Sequence, residues 1–255
     1  MSVASCHPSL APETLHPSLW RAWQLARGRE SVTPTGFTAL DDELPGGGWP
    51  HRTLTELLLS HPGVGEMRLM APALSAQARA GRTVMWFDPP AVPCAQALEE
   101  LGVDAHRLVM VHGRQGLRGA QRRHLLASAD VLWALEQALR SGHVGLVVAW
   151  LPEGLRADAL RRLQLAAQAH DGPVFLLRAM ASRLKPSAAS LRLALSPAGG
   201  DALSLHVLKR RGPARTQPLV LALPVVVPFP RPAAAVVDPG EPPGPVPALR
   251  TPMAA

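Results

Sequence analysis

The 255-residue chain is 47% hydrophobic, 18% charged and 4% aromatic, enough apolar material for one substantial core with terminal segments to spare. Its 26 basic residues outnumber 19 acidic ones, for a formal charge of +7, and all the basic residues except Lys185 and Lys209 are arginine. No apolar run approaches the roughly 18–20 residues that span a bilayer, the first residues lack the basic start and apolar stretch of a secretory signal, and Cys6 and Cys94 are too few for a disulfide framework. The expectation is a soluble, cytoplasmic protein with no membrane partner. The charge admits nucleic acid or an acidic protein as partner, although an arginine bias also follows from genomic base composition alone.

From the N-terminus, Ser18 is placed to cap a short helix over about 18–28, with Leu19, Trp23 and Ala26 on one face and Gly28 at its end. Trp20 lies one turn from Trp23, and two tryptophans on a terminal helix read as a docking device. Strand and helix patterns then alternate: a strand at Leu54–Leu59, a helix at Gly65–Ala80, a strand at Thr83–Phe87, a helix at Ala95–Leu101 and a strand at Leu108–Val111. A helix from Ser128 or Asp130 to Arg140 follows, with Val131, Leu132, Leu135, Ala138 and Leu139 inward and Glu136 paired with Arg140. Gly145–Trp150 and Pro173–Leu177 are apolar throughout, as in strands buried on both faces, and Asp158–His170 is helical between them. Leu191–Leu195, Leu203–Leu208 and Leu219–Leu223 are strands without intervening helices, which predicts an antiparallel extension. Trp86, Trp133 and Trp150 are expected in the core. Ten of the 27 prolines lie from Pro224 onward, and their missing amide donors make that stretch a polyproline-like or disordered tail. The chain divides into an N-terminal segment 1–29, an α/β core 30–223 with a mostly parallel sheet flanked by helices, and the tail 224–255.

Thr35-Gly36-Phe37-Thr38-Ala39-Leu40-Asp41, followed by Gly46-Gly47-Gly48-Trp49-Pro50 and a strand, resembles the approach to the ATPase core of the RecA family. There the strand ends in a phosphate-binding loop, whose chemistry needs glycine amides, a lysine on the β/γ oxygens and a hydroxyl on magnesium. Aligned on Gly65, the first glycine is Ser60, the lysine is Glu66 and the hydroxyl is Met67, and a carboxylate facing a triphosphate repels it. The resemblance places the hydrolytic glutamate at Pro90, the magnesium-side aspartate at Ala149 or Trp150, and the nucleotide-sensing pair at Leu177 and Arg178. The expectation is a core without catalytic residues, metal or cofactor; a divergent RecA-like ATPase is the third-ranked reading.

Residues 19–223 resemble more narrowly the ImuA family, RecA-like proteins associated with translesion DNA synthesis. The shared words are LWRA (Leu19–Ala22), TGFTALDDELPGGGWP from Thr35 to Pro50, ALRSG with LVVAWLP (Ala138–Pro152), RRLQLAA (Arg161–Ala167) and VLKRRG (Val207–Gly212). The resemblance implies a non-catalytic accessory factor of damage-induced (SOS) mutagenic synthesis. Its implied partners are RecA and ImuB, and through them a DnaE-type polymerase. The stretch ALRSGHVGLVVAWLPEGL also resembles SulA, which implies the alternative of a division inhibitor acting on FtsZ.

Three basic features remain. Arg114, Arg118, Arg122 and Arg123 lie in a glycine-containing stretch with no acid between Asp104 and Asp130, suited to phosphates or an acidic partner or simply to solvent. Lys209, Arg210 and Arg211 match the strand element with which RecA reaches the nucleotide of a neighbouring protomer; the simpler reading is a cationic sheet edge. Arg178, Arg183, Lys185 and Arg192 surround a loop at 179–189. That loop and Pro152-Glu153-Gly154 are shorter than the DNA-contacting loops the resemblance implies, so DNA contact is expected to be weak or indirect.

Overall fold

A computed structural model describes residues 31–113, 128–213 and 215–224. The expected N-terminal helix with Trp20 and Trp23, the basic stretch with Arg114, Arg118, Arg122 and Arg123, and the tail beyond Pro224 lie outside the described residues.

A two-residue ribbon opens the described chain, with β1 (Val32–Thr33) antiparallel to β2 (Trp49–Pro50) and the single helical turn α1 (Thr38–Asp41) between them. That connection is tightly packed. Gly36 has φ +85°, and a Cβ there would lie 2.5 Å from the ring of Pro72, so only glycine fits. The α/β body follows as β3 (Leu54–Leu59), α2 (Glu66–Arg79), β4 (Thr83–Phe87), α3 (Ala95–Glu100), β5 (Leu108–Val111), α4 (Ser128–Arg140), β6 (Val144–Trp150), α5 (Ala157–Ala167) and β7 (Val174–Ala179). Three strands close it: β8 (Leu191–Pro197), β9 (Ala202–Lys209) and β10 (Leu219–Ala222).

Strands β3 to β10 form one eight-stranded sheet in the order β10-β9-β8-β3-β7-β6-β4-β5. Only β9 runs against the others: β8 pairs parallel with β3, while β9 is antiparallel to both β8 and β10. The expected antiparallel extension is thus narrowed to one strand. The register explains why β6 is apolar throughout. In β6, Leu146 and Val148 enter one core with Trp86, Phe175 and the α2 residues Leu69, Met70 and Leu74. Val147 and Ala149 enter a second core with Leu135 and Leu139 of α4 and Leu160 and Leu163 of α5. Helices therefore cover both faces of β6, which makes it hydrophobic along its length.

Two expectations fail on this body. Trp133 projects from α4 and is 61% exposed, because Val131, Leu135 and Leu139 already occupy the inward stripe of that helix. Glu136 is buried and pairs with Arg162 of α5 at 2.7 Å, bridging two packed helices instead of joining Arg140 along its own.

Candidate functional site

The parallel strands β3, β4, β6 and β7 end on one side of the sheet, where loops of an α/β domain place their chemistry. The loop Ser60–Gly65 leaves β3 there. Gly63 and Gly65 hold positive φ, +91° and +116°, which turns their amides toward the start of α2. Such amides and the helix dipole favour an anion. The chain supplies one itself. The Glu66 carboxylate accepts the Gly63 amide at 2.7 Å and the Gly65 amide at 3.1 Å, and the residue is 3% exposed.

The other side of the loop is also covered. A Cβ added to Gly65 would lie 2.7 Å from the Leu223 side chain and 3.7 Å from Leu203. Arg68, in the first turn of α2, donates to the carbonyls of Leu223 and Pro224 at 3.0 and 2.7 Å and pairs with Asp201 at 2.8 Å. These contacts fasten the exit of β10 over the loop.

At the end of β4, Asp88 adopts φ +53°. Its amide donates to the Val111 carbonyl at 2.7 Å, and its carboxylate accepts the Gly113 amide at 3.1 Å. Asp88 therefore ties β4 to β5. The side chain that ends β6, Trp150, packs edge-on against Trp86 with ring centroids 5.5 Å apart. At the end of β7, Arg178 is buried and donates to Glu56 at 2.7 Å and to the Glu153 carbonyl at 3.3 Å. Arg192 of β8 holds the other oxygen of Glu56 and the Ser182 carbonyl. Two of the four cations expected around loop 179–189 are thus interior partners of one carboxylate. Lys185 reaches Glu153, and Arg183 is exposed.

The Lys209-Arg210-Arg211 element divides similarly. Arg210 is pinned by the Glu43 carboxylate at 2.8 Å, which Arg215 also holds, so it braces the α1 connection and is no free interface cation. Lys209 donates to the Ser187 carbonyl at 3.1 Å; it and Arg211 are exposed. The element terminates β9, which β10 flanks only over Ala202–Leu205; at Lys209 the paired neighbour is Arg192 of β8 alone.

Against this geometry, no family model matches the chain. It is similar to two cell division inhibitors named SulA. The one from Edwardsiella piscicida is 30% identical over 120 residues, 47% of this chain and 64% of that protein. The one from Serratia marcescens is 23% identical over 125 residues, 49% of this chain and 67% of that protein. The chain thus spans under two thirds of the length of the first relative, and each match leaves about half of this chain unaccounted for.

The stretch Ala138–Leu155 forms the end of α4, all of β6 and the start of the following loop. It leads to a cleft of about 290 Å³ at the strand ends, lined by Ser60, His61, Asp88, Trp150 and Arg178 among others. Sequence reasoning singled out several of these positions for what they lack, and missed that they converge. A second cleft, about 350 Å³, lies beside His51, Arg52, Arg210 and Arg211. The Arg52 amide of this cleft donates to the His170 carbonyl at 3.2 Å; burial, helped by the charges of Arg82 and His51, lowers the His170 ring from its ordinary 6.5 to about 4, and His51 is lowered mainly by its own burial. Among the described residues, no cluster of three His, Cys, Asp or Glu is arranged to hold a metal, and no helix is long and apolar enough to cross a membrane.

Proposed function

We propose that this chain is a RecA-like protein that performs no chemistry and acts by binding another protein during the response to DNA damage. The observation that carries this reading is the Glu66 carboxylate on the Gly63 and Gly65 amides. Those donors are the ones a phosphate would need, and they are already satisfied by a buried anion. The strand ends support the same conclusion: Pro90, Trp150 and Arg178 stand where the RecA resemblance puts the base, the metal ligand and the nucleotide sensor. A mixed, mostly parallel sheet with helices on both faces is compatible with that class.

The similarity to two SulA proteins favours division inhibition, with FtsZ as the partner, for the part of the chain they match. An ImuA-type accessory role, through RecA and ImuB, rests on the sequence words that carry that resemblance. Glu43 of the TGFTALDDELPGGGWP word is held by Arg210 of the VLKRRG word, so the two form one structural unit in the folded chain. The two readings share a core and differ in partner.

Expression of the full chain in growing cells, beside capture assays with purified FtsZ, RecA and ImuB, separates them. Filamentous cells and FtsZ capture establish division inhibition. Capture of RecA and ImuB without filamentation, weakened by Lys209→Glu with Arg211→Glu, establishes the accessory role. Capture of none of the three overturns the protein-binding reading, and ATP hydrolysis overturns the claim of no chemistry.

A further inference from the structure

The topology gathers cations on the edge of the sheet opposite the Ser60–Gly65 loop. Strands β3, β4 and β6 run parallel in one sheet, and the residues just before them are His51-Arg52-Thr53, Gly81-Arg82 and Gly142-His143. Helices α2 and α4 return to the same edge and end at Arg79 and Arg140. Antiparallel β9 also ends there, with Arg210 and Arg211 just beyond it. Arg52, Arg79, Arg140 and Arg211 are exposed. In the sheet order β9-β8-β3-β7-β6-β4 these groups spread over about 24 Å at the usual strand spacing.

Arg52, Arg79, Arg82 and Arg140 keep their charge. Among the described residues, the guanidinium groups of Arg52, Arg79 and Arg140 have no carboxylate or hydrogen-bond partner, and that of Arg82 donates to a neutral acceptor, the Val144 carbonyl, at 3.2 Å. No acid occurs in the stretches 50–53, 79–82, 140–143 or 210–211. Of the carboxylates alongside, Glu43 is held by Arg210 and Arg215, and Asp171 faces His51 at 3.4 Å. Burial lowers the His51 ring most, and the charges of Arg82 and Arg52 lower it further against the pull of Asp171. The cations before β3 and β4 therefore act at one place, although β7 and β6 lie between the strands. Arg79 and Arg140 end helices, where the dipole favours a cation. Arg52 and Arg82 precede strands, where no dipole calls for one, and Arg52 holds φ +56°, a backbone state uncommon outside glycine.

The cleft of about 350 Å³ opens between Arg52 and Arg211, with Ser31, Thr53 and Ser190 on its walls. Arginines and hydroxyls are side chains that bind phosphate oxygens without reading sequence. A protein partner would need an apolar anchor, and none of the exposed large hydrophobic residues falls in the four stretches. They hold no Phe or Trp on which a base could stack. We infer that this edge holds the phosphodiester backbone of a nucleic acid, one phosphate in the cleft between Arg52 and Arg211 and others along Arg82 and Arg140, without base recognition. The edge lies opposite the loops 152–154 and 179–189, so the contact is separate from the one the RecA resemblance implies. It stands whichever protein the chain binds.

The test titrates the full chain into a fluorescein-labelled DNA duplex of about 30 base pairs, read by anisotropy between about 50 and 200 mM salt. The logarithm of the affinity should fall linearly with that of the salt concentration, and a duplex of unrelated sequence should bind equally. Arg52→Asn, Arg140→Gln and Arg211→Gln together should cost at least tenfold at the lowest salt and reduce the slope by about 0.9 for each contact removed; Asn tolerates the backbone at position 52. Lysine at the same three positions keeps the charges and should keep the slope. Loss of the slope there as well would trace the effect to the fold and overturn the inference. Arg183→Gln with Lys185→Gln, on the opposite edge, should leave binding unchanged; an equal loss from that pair would reduce the effect to net charge and overturn the edge as the site. Absence of binding at the lowest salt, or a triple variant that binds as the parent does, would also overturn it. Poly-glutamate that displaces the duplex at a lower concentration of charges would make the edge a surface for acidic protein instead.

Discussion

Glu66 folds back onto Gly63: the first side chain of α2 accepts the amide of a residue three positions before it, at 2.7 Å. The second oxygen takes the Gly65 amide, so the loop that precedes the helix is closed by a charge of the chain's own. Glu66→Ala leaves both amides without this acceptor and should cost about 1–3 kcal/mol, read as a lower urea midpoint. Glu66→Gln keeps one carbonyl acceptor and should fall between the two. Equal midpoints for all three proteins would show that the contact holds nothing.

Among the described residues, Glu56 is the only carboxylate paired with the two buried guanidinium groups of Arg178 and Arg192. Removing one partner of a buried ionic cluster strands the others, at a typical cost of about 3–5 kcal/mol. Glu56→Gln should therefore unfold at markedly lower denaturant. Replacing all three with Leu, Met and Leu should recover most of the loss, since a packed apolar cluster avoids the desolvation of the charges. A single variant as stable as the parent would contradict this assignment.

His170 predicts how stability responds to acid. Its folded value, about 4, lies below the ordinary 6.5 because burial disfavours the charged ring. The unfolded chain then binds the proton first, so stability is full above pH 6.5 and declines as pH falls from there toward 4. The loss is on the order of 3 kcal/mol at most, and His51, lowered in the same direction, adds to it. Urea midpoints at pH 7.5 and 5 should differ more for the parent than for His170→Leu. Identical pH dependence would remove His170 from the account.

Much of the fold was legible because both faces of the sheet are covered: runs such as Val144–Trp150 are apolar at every position, and little else has that pattern. Single charges inside such runs were not legible. Glu56 interrupts the apolar run of β3, and its partners Arg178 and Arg192 lie 122 and 136 residues away in sequence, beyond the reach of any local pattern. For the same reason Arg178 and Arg192 read as cations around the loop 179–189, and the helical spacing pairs Glu136 with Arg140 instead of with Arg162 on a different helix. At the site, the lysine-to-glutamate exchange at position 66 was visible in the sequence. What the glutamate does was not, since its hydrogen bonds depend on the positive φ of Gly63 and Gly65.

Trp133 offers a simple check on one of those corrections. As a solvent-exposed side chain on α4, it should tolerate Trp133→Ser within about 0.5 kcal/mol, and acrylamide should quench its emission readily. A loss of several kcal/mol would return it to the core.

The most direct measurement of the central claim is a calorimetric titration of the full chain with ATP and magnesium, followed by an assay for released phosphate. With Glu66 seated on the loop amides, neither binding at millimolar nucleotide nor phosphate release above background should appear. Micromolar binding, or turnover that disappears when the Ser60–Gly65 loop is altered, would contradict the account.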